Sequence, residues 1–557
     1  MKKRVGIILD STSISKQLAD LISLSKKSEN YEITALVINN FERNKRNIGL
    51  QIAYYIKRRG LQKFLSNAIF RVVCKMESIV LKRMSKFNKF YNTSQLNKED
   101  FVSIIVSPQI SKSGLVYRYD QEDIKRIKEL NLELLIRGGS GILRGDILDV
   151  CPNGVISFHH ADNDINRGGP PGFWEVYDRS PRTGFIIQRL KDELDGGDVL
   201  YKGFVSTWWF YSLNLAYLYE VANPFLHHVL EDITSENPKL KVLKKSPYSH
   251  PLYTTPNVLQ TLIYLLKTSH ILGSKIFRKL LGKSFRWGVA FQFSKKWNDA
   301  TIWRSQKIPN PKNRFLADPF VIKQNGSHFC FVEDFDYNSN KGSISAYKIT
   351  PSGYEAIGVV LEEEFHLSFP FIFKYENEIF MCPETHEKKE IRVYKCVDFP
   401  SKWEFHKTLM KNVSAGDTII FKQKNKWWLL ANIDQSGVAD NSCQLHVFSS
   451  DNPLSDEWDA HENNPVIFDP LVARNGGLII SDNEIYRVFQ RQGFDMYGEA
   501  SGIAKIARLS SKEYVEEVCF SIEPLFFEGI KGTHTYNFDS DLIVFDYVEF
   551  CKKNTGT

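Results

Sequence analysis

Apolar and polar positions are organised differently in the two halves of the chain. Arg4–Leu9 is a short apolar run, Ser11–Lys27 carries apolar residues at helical spacing, and Glu32–Asn39 is apolar again. This strand–helix–strand opening predicts a parallel sheet covered by helices. The pattern resumes with a strand over Phe101–Val106, a helix over Gln121–Leu130 and a strand over Leu132–Arg137. Further strands are predicted at Val155–His159, Thr183–Arg189 and Asp198–Gly203. An aromatic-rich helix is predicted over Val205–Leu230, broken near Pro224. A helical segment is inserted at about residues 45–95. It is rich in cations: Lys57, Arg58, Arg59, Lys63, Arg71, Lys75, Lys82 and Arg83. Its basic face is either simply solvated or a peripheral contact with a membrane surface or another anionic partner.

Residues 233–284 are Lys-rich, carry Pro247, Pro251 and Pro256, and end in an amphipathic basic helix from Val258 to Leu281. They read as a basic helical linker between a domain over residues 1–232 and another over 285–557. After Trp287 the pattern shifts to short strands with a weak repeat. Each unit is a small polar entry, an apolar strand, a turn and a second apolar strand. The entries fall at Asp318, Pro370, Asp417, Arg474 and His534, with offsets of 52, 47, 57 and 60 residues. Five such units predict an all-β five-bladed propeller whose entry residues converge on the central axis.

Composition changes this picture little. With 557 residues the chain exceeds one ordinary core, and 43% hydrophobic with 25% charged residues is globular usage. A net charge of +7 is too mild to imply nucleic acid. The 8 cysteines are scattered without Cys-x-x-Cys or Cys/His zinc spacing, which points to a reduced, cytoplasmic protein with no metal site. Val5–Leu9 is too short for a signal-peptide core. No stretch is long and apolar enough to span a bilayer.

The chemistry concentrates between Val155 and Leu200. A strand delivers His159 and His160, an Arg167-Gly168-Gly169-Pro170-Pro171 loop follows, then Thr183-Gly184, then Asp195-Gly196-Gly197-Asp198. Upstream, Gly138-Gly139-Ser140-Gly141 makes a turn where backbone can approach a cofactor closely; it is neither a Walker A loop nor G-x-G-x-x-G. These motifs, in this order, resemble the formyltransferase family of methionyl-tRNA, glycinamide ribonucleotide and sugar N-formyltransferases. The resemblance runs without a gap from Ser157 to Pro171 and, more loosely, over most of residues 1–205. It implies a Rossmann-like α/β domain with a largely parallel sheet. It also implies formyl transfer from N10-formyltetrahydrofolate to an amine. His159 takes the base position and Asp195 the carboxylate that orients it, while Ser157 stands where the family has Asn. Ser157, His160 or a water then supplies the oxyanion donor, or the site is impaired. The polar Ala161-Asp162-Asn163-Asp164 replaces an apolar family loop. His160, Asn163 and Arg167 become candidate substrate contacts, and a small amino sugar is favoured over tRNA. A metal at His159-His160 is disfavoured because strand neighbours face opposite ways.

The second half is similar to the five-bladed domains of arabinanase- and β-xylosidase-type glycosidases. It is closer to that of plant glucosamine inositolphosphorylceramide transferase. The resemblance rests on Phe315-Leu316-Ala317-Asp318-Pro319-Phe320, Pro383-Glu384-Thr385, Asp417-Thr418 and Tyr497-Gly498. It implies Asp318 as a general base, with Glu384 and Asp417 at hand but outside the Glu-Gly-Pro context of the family's general acid. Asp318 alternatively caps a turn before Pro319. Arg474, Arg487, Gln490 and His534 are candidate sugar or phosphate contacts. The expected function is N-formylation of a nucleotide- or lipid-linked amino sugar in surface polysaccharide synthesis, with the propeller binding glycan. The alternatives are glycosyl transfer or hydrolysis in the propeller, or a non-catalytic glycan-binding scaffold.

Overall fold

The computed structural model describes residues 2–41, 48–112, 114–193, 196–438 and 440–552. The chain forms two compact units, residues 1–270 and 271–557.

The first unit is built on a seven-stranded sheet. Its strands are β1 (Lys3–Leu9), β2 (Tyr31–Asn39), β3 (Val102–Val106), β4 (Leu134–Arg137), β5 (Val155–His159), β6 (Arg182–Arg189) and β7 (Asp198–Ser206). The order is β7-β6-β5-β4-β1-β2-β3. The five strands from β3 to β5 are parallel, and β6 and β7 add an antiparallel edge. Val5, Ile7, Ile8 and Leu9 of β1 are all buried, as a sheet covered on both faces requires. The covering helices are α1 (Lys16–Ser25), α2 (Ile48–Arg59), α3 (Leu61–Leu81), α4 (Gln121–Lys128), α5 (Phe173–Asp178) and α6 (Tyr211–Thr234). Gly60, at φ 82°, separates α2 from α3, so the expected insertion is a helix pair.

Two boundaries differ from expectation. Pairing of Arg182 with Ser206 extends β7, so α6 starts at Tyr211 rather than Val205, and Pro224 lies inside α6 without ending it. The expected linker is built into the first unit over its first half. Ser246 Oγ donates to Asp164 at 2.7 Å, and Gly169 N donates to the Tyr253 carbonyl at 3.2 Å. A Cβ at Gly168 would lie 1.9 Å from that carbonyl oxygen, so only glycine admits the returning segment. Helix α7 (Val258–Leu280) follows, and its Tyr264 hydroxyl donates to Glu77 of α3.

The second unit contains five consecutive antiparallel sheets of four or five strands. The first sheet pairs β8 (Lys283–Phe293) with the last strand, β14 (Leu542–Lys552), over eleven residues from each. Five strands pack in a closed cycle: β9 (Arg314–Gln324), β10 (Ser368–Tyr375), β11 (Ala415–Gln423), β12 (Asn475–Ser481) and β13 (Tyr536–Asp539). Four of them break register at the same place, around Asp318, Phe369, Asp417 and Gly476. Asp318, Phe369 and Asp417 hold left-handed φ values of 48°, 46° and 45° there. Bulges of this kind re-aim a side chain. Here they bury two carboxylates and one phenyl ring.

Candidate functional site

In the first unit a cavity of about 430 Å³ opens at the carboxyl ends of β4 and β5. Ligands of α/β sheets collect at that edge. His159 closes β5, and its Nε2 lies 2.6 Å from the carbonyl oxygen of Asn166. A carbonyl only accepts, so Nε2 carries a proton. His160 is an aromatic wall: it stacks on Tyr219 at 3.7 Å and 6°, and on Phe158 at 4.8 Å and 27°. Burial, then electrostatic repulsion involving His159 and Arg137, lowers its pKa to about 3. His160 is therefore neutral and a poor base, and it contributes a surface rather than a charge.

Ser157 is buried. Its Oγ donates to the Phe158 carbonyl at 3.0 Å and accepts from Arg137 Nη1 at 3.3 Å. Its one hydroxyl proton is thus spent on the backbone. Beside it Arg137, the last residue of β4, lines the cavity, with Nε donating to the Gly141 carbonyl at 2.8 Å. The parallel register, Ile156 opposite Ile136, brings Arg137 alongside Ser157. Sequence reading missed Arg137. The only signal was its place at a strand end before the glycine turn, and strand adjacency in a parallel sheet is not written in one sequence.

Of that turn, Gly138 and Gly139 line the cavity. Ser140 is committed elsewhere, its N and Oγ donating to Asp10 at 2.8 and 2.7 Å. Gly141 is required by packing, since a Cβ there would meet the Tyr117 ring at 2.1 Å. Asn163 and Arg167, expected beside the substrate, are not brought to His159. They line a separate cavity of about 80 Å³ with Lys202 and Lys245. Arg167 donates through Nε to the Asn163 carbonyl at 3.0 Å and lies over the Tyr248 ring, so the returning 248–253 segment claims it. Asp195 lies outside the described residues.

At the centre of the second unit the entry residues form one charge network. His534 Nε2 lies 2.8 Å from Asp318 Oδ1, and its Nδ1 lies 2.9 Å from Asp546 Oδ2. Burial alone would lower the His534 pKa, but the Asp546 and Asp318 carboxylates raise it to about 10. It stands as an imidazolium clamped between two acids. Arg474 meets Asp417 through Nε at 2.6 Å and Nη2 at 3.3 Å, and its Nη2 is 3.6 Å from Glu384. Gln490 Nε2 donates to Asp417 at 2.7 Å. His386 Nδ1 lies 2.7 Å from Glu384. Burial would raise the pKa of Glu384, but His386 and Arg474 hold it below the ordinary carboxylate range. Burial pushes the Glu333 pKa well up, and the Asp318 charge adds to the rise. Glu333, His386 and Asp546 were missed because they follow the entries, on partner strands or just past them. Ala317 opposite Glu333 in the β9 register is the nearest clue. Arg487 is not a ligand contact. It is fully buried and tied to Glu516, with Nε at 2.8 Å, and to the Val472 carbonyl at 2.6 Å. Asp318 Oδ2 accepts from Phe369 N at 3.2 Å, while its Oδ1 faces His534.

Residues 300–539 match the family model described as glucosamine inositolphosphorylceramide transferase 1, N-terminal. Glucosamine inositolphosphorylceramide transferase 1 of Arabidopsis thaliana is 36% identical over 233 residues, 41% of this chain and 29% of that protein. The chain thus spans under a third of that relative's length. Methionyl-tRNA formyltransferase of Halalkalibacterium halodurans is 24% identical over 218 residues, 37% of this chain and 64% of that protein. Among solved structures, a family 117 glycoside hydrolase of Zobellia galactanivorans covers 49% of this chain and 92% of its own, at 10% identity and a TM-score of 0.32.

Proposed function

We propose that the first unit transfers a formyl group from N10-formyltetrahydrofolate to the amine of a nucleotide- or lipid-linked amino sugar in surface polysaccharide synthesis. The second unit, a five-bladed propeller in this reading, binds the glycan. The observation that carries the proposal is that His159 and Arg137 both line one cavity of about 430 Å³. Its lining suits a flat bicyclic ligand: Ile142, Leu143, Leu190 and Leu226 give apolar walls, and the Gly138-Gly139 backbone and Lys191 give polar edges. When bound, N10-formyltetrahydrofolate supplies the formyl carbon. His159, whose Nε2 lies 2.6 Å from the Asn166 carbonyl, takes the proton that the attacking amine must lose. Arg137 borders Ser157, which stands where the family has Asn, and its N–H donors support oxyanion stabilisation while Ser157 steadies the guanidinium. The similarity to a methionyl-tRNA formyltransferase supports the reaction class.

A second reading has its own support. The 300–539 match and the gathering of the Asp318, Glu384 and Asp417 carboxylates with Arg474 and His534 favour glycosyl transfer or glycan binding at the propeller centre. The deciding experiment incubates the full chain with N10-formyltetrahydrofolate and a panel of amino sugars, and measures product mass. A gain of one formyl group that His159→Ala abolishes supports the first reading. No product, or equal product from the variant, leaves only the second.

A further inference from the structure

The outward surface of α3 and the first half of α7 has no role in either site. Both helices bury a narrow face: Ser66, Phe70, Val73 and Leu81 on α3, Thr261 and Tyr264 on α7. They are neighbours, joined by Tyr264 donating to Glu77 and by Lys63 Nζ donating to Thr254 Oγ1 and the Thr255 carbonyl, each at 3.3 Å. Their other faces carry large apolar side chains into solvent. On α3 these are Leu61, Leu65, Val72, Met76, Ile79 and Val80, between 44% and 63% exposed. Stepping at 100° per residue, they fall on one face about 100° wide. On α7 Leu259, Leu262 and Leu266 are 65%, 49% and 71% exposed, again on one stripe.

Cations flank the apolar positions. Arg71, Lys75, Lys82 and Arg83 are exposed on and just after α3, and Lys57, Arg58 and Arg59 are exposed at the end of α2. Between Leu61 and Lys89 the one acidic residue is Glu77, which faces inward and accepts from Ser212 N at 2.8 Å. Contiguous apolar surface of this kind marks an interaction site. A second copy would set like charges together, and a nucleic acid would gain nothing from the apolar stripes. Among the described residues no helix is long and apolar enough to cross a membrane.

We propose that this face seats the protein on an anionic lipid bilayer. Helices α3 and the start of α7 lie in the interface plane, apolar stripes at the acyl boundary and cations on anionic headgroups. The proposal is independent of the reaction assigned to the cavity. It is tested by co-sedimenting the full chain with phosphatidylcholine vesicles, with and without phosphatidylserine. The expected result is strong binding to the anionic vesicles, weak binding to the neutral ones, and loss at high salt. Leu65→Ser/Val72→Ser/Met76→Ser should weaken partitioning at least about tenfold. Arg71→Gln/Lys75→Gln/Arg83→Gln should weaken it by about fivefold per cation. This second set keeps the test valid if the first variant misfolds. Absence of binding to anionic vesicles overturns the proposal, as does unchanged binding by the cation variant. So does a dimer, detected by light scattering, that the apolar substitutions dissociate while vesicle binding persists; that result assigns the face to a second copy.

Discussion

The cavity of the first unit and the centre of the second are both rich in charge, but they compensate it differently. Around the centre of the second unit, Arg474 and His534 are locked onto Asp417, Glu384, Asp318 and Asp546. Every charge there has a protein partner. In the cavity, Arg137 and His159 spend donors on backbone carbonyls and a serine hydroxyl beside an open volume. Removing one member of a buried ion network strands the others and is costly; Arg137, whose charge also acts on Asp10, lines an open volume where it can meet a developing negative charge. Perturbing the centre should therefore act mainly on folding, and perturbing the cavity mainly on chemistry.

The largest effect expected is from Arg474→Met. It leaves the buried Asp417 without its cation and Glu384 with His386 alone, and removing one partner of a buried pair typically costs about 3–5 kcal/mol. Urea unfolding of the full chain, followed by tryptophan fluorescence, should show the second unit's transition at clearly lower denaturant. A loss under about 1 kcal/mol would mean that the network relaxes or fills with water, and the contrast with the cavity would fail.

Next is Arg137→Met. The side chain lies at a cavity wall, so folding should be little changed. The rate of formyl transfer should fall about 10²- to 10³-fold, as when a single oxyanion donor is removed. Arg137→Lys should recover part of the rate, because a point charge replaces some of the stabilisation but not the fork geometry. An Arg137→Met enzyme with normal kcat would remove Arg137 from the chemistry.

The two regions should also fail at opposite ends of the pH scale. His534 is raised from 6.5 to about 10 in the fold, against the effect of burial, by Asp546 and Asp318. Its stabilisation is complete below pH 6.5 and is lost as pH rises through 10, on the order of 3 kcal/mol between pH 7 and 10. Burial lowers His160 from 6.5 to about 3, so its contribution is present above pH 6.5 and is lost as pH falls toward 3. Unfolding curves at mildly acid and alkaline pH should weaken the first unit in acid and the second in base. A His534→Asn variant that keeps the alkaline loss would assign that loss to another group.

What the sequence made legible follows from the same contrast. Strand patterning located β1 to β7 and the repeat in the second half, because burial on a sheet writes itself in period and run length. The entry residues Asp318, Asp417, Arg474 and His534 do meet, because each occupies an equivalent place in a repeated unit. Arg487 and Gln490 lie past the entry, and only Gln490 reaches the network; position along a strand does not reveal which way a bulge turns the next side chain. Arg167 follows the family order yet serves the 248–253 segment, an interaction more than 80 residues away along the chain, and the Asn163 carbonyl accepts from Arg167. Arg137 reaches Ser157 only through strand adjacency. Local chemistry was readable, and long-range neighbours were not.

The smallest effect separates Arg137 from Ser157. The Ser157 hydroxyl donates to the Phe158 carbonyl and accepts from Arg137, so it has no second proton to offer an oxyanion. Ser157→Ala removes one modest hydrogen bond that steadies the guanidinium. That is worth about 1 kcal/mol, or roughly a fivefold fall in kcat, with KM for the amine little changed. If Ser157 were itself the donor, the fall would be about 10²- to 10³-fold. The double variant Arg137→Met/Ser157→Ala decides the matter. Because Ser157 acts through Arg137, the double variant should be no slower than Arg137→Met alone. Losses that multiply would instead make the two residues independent donors.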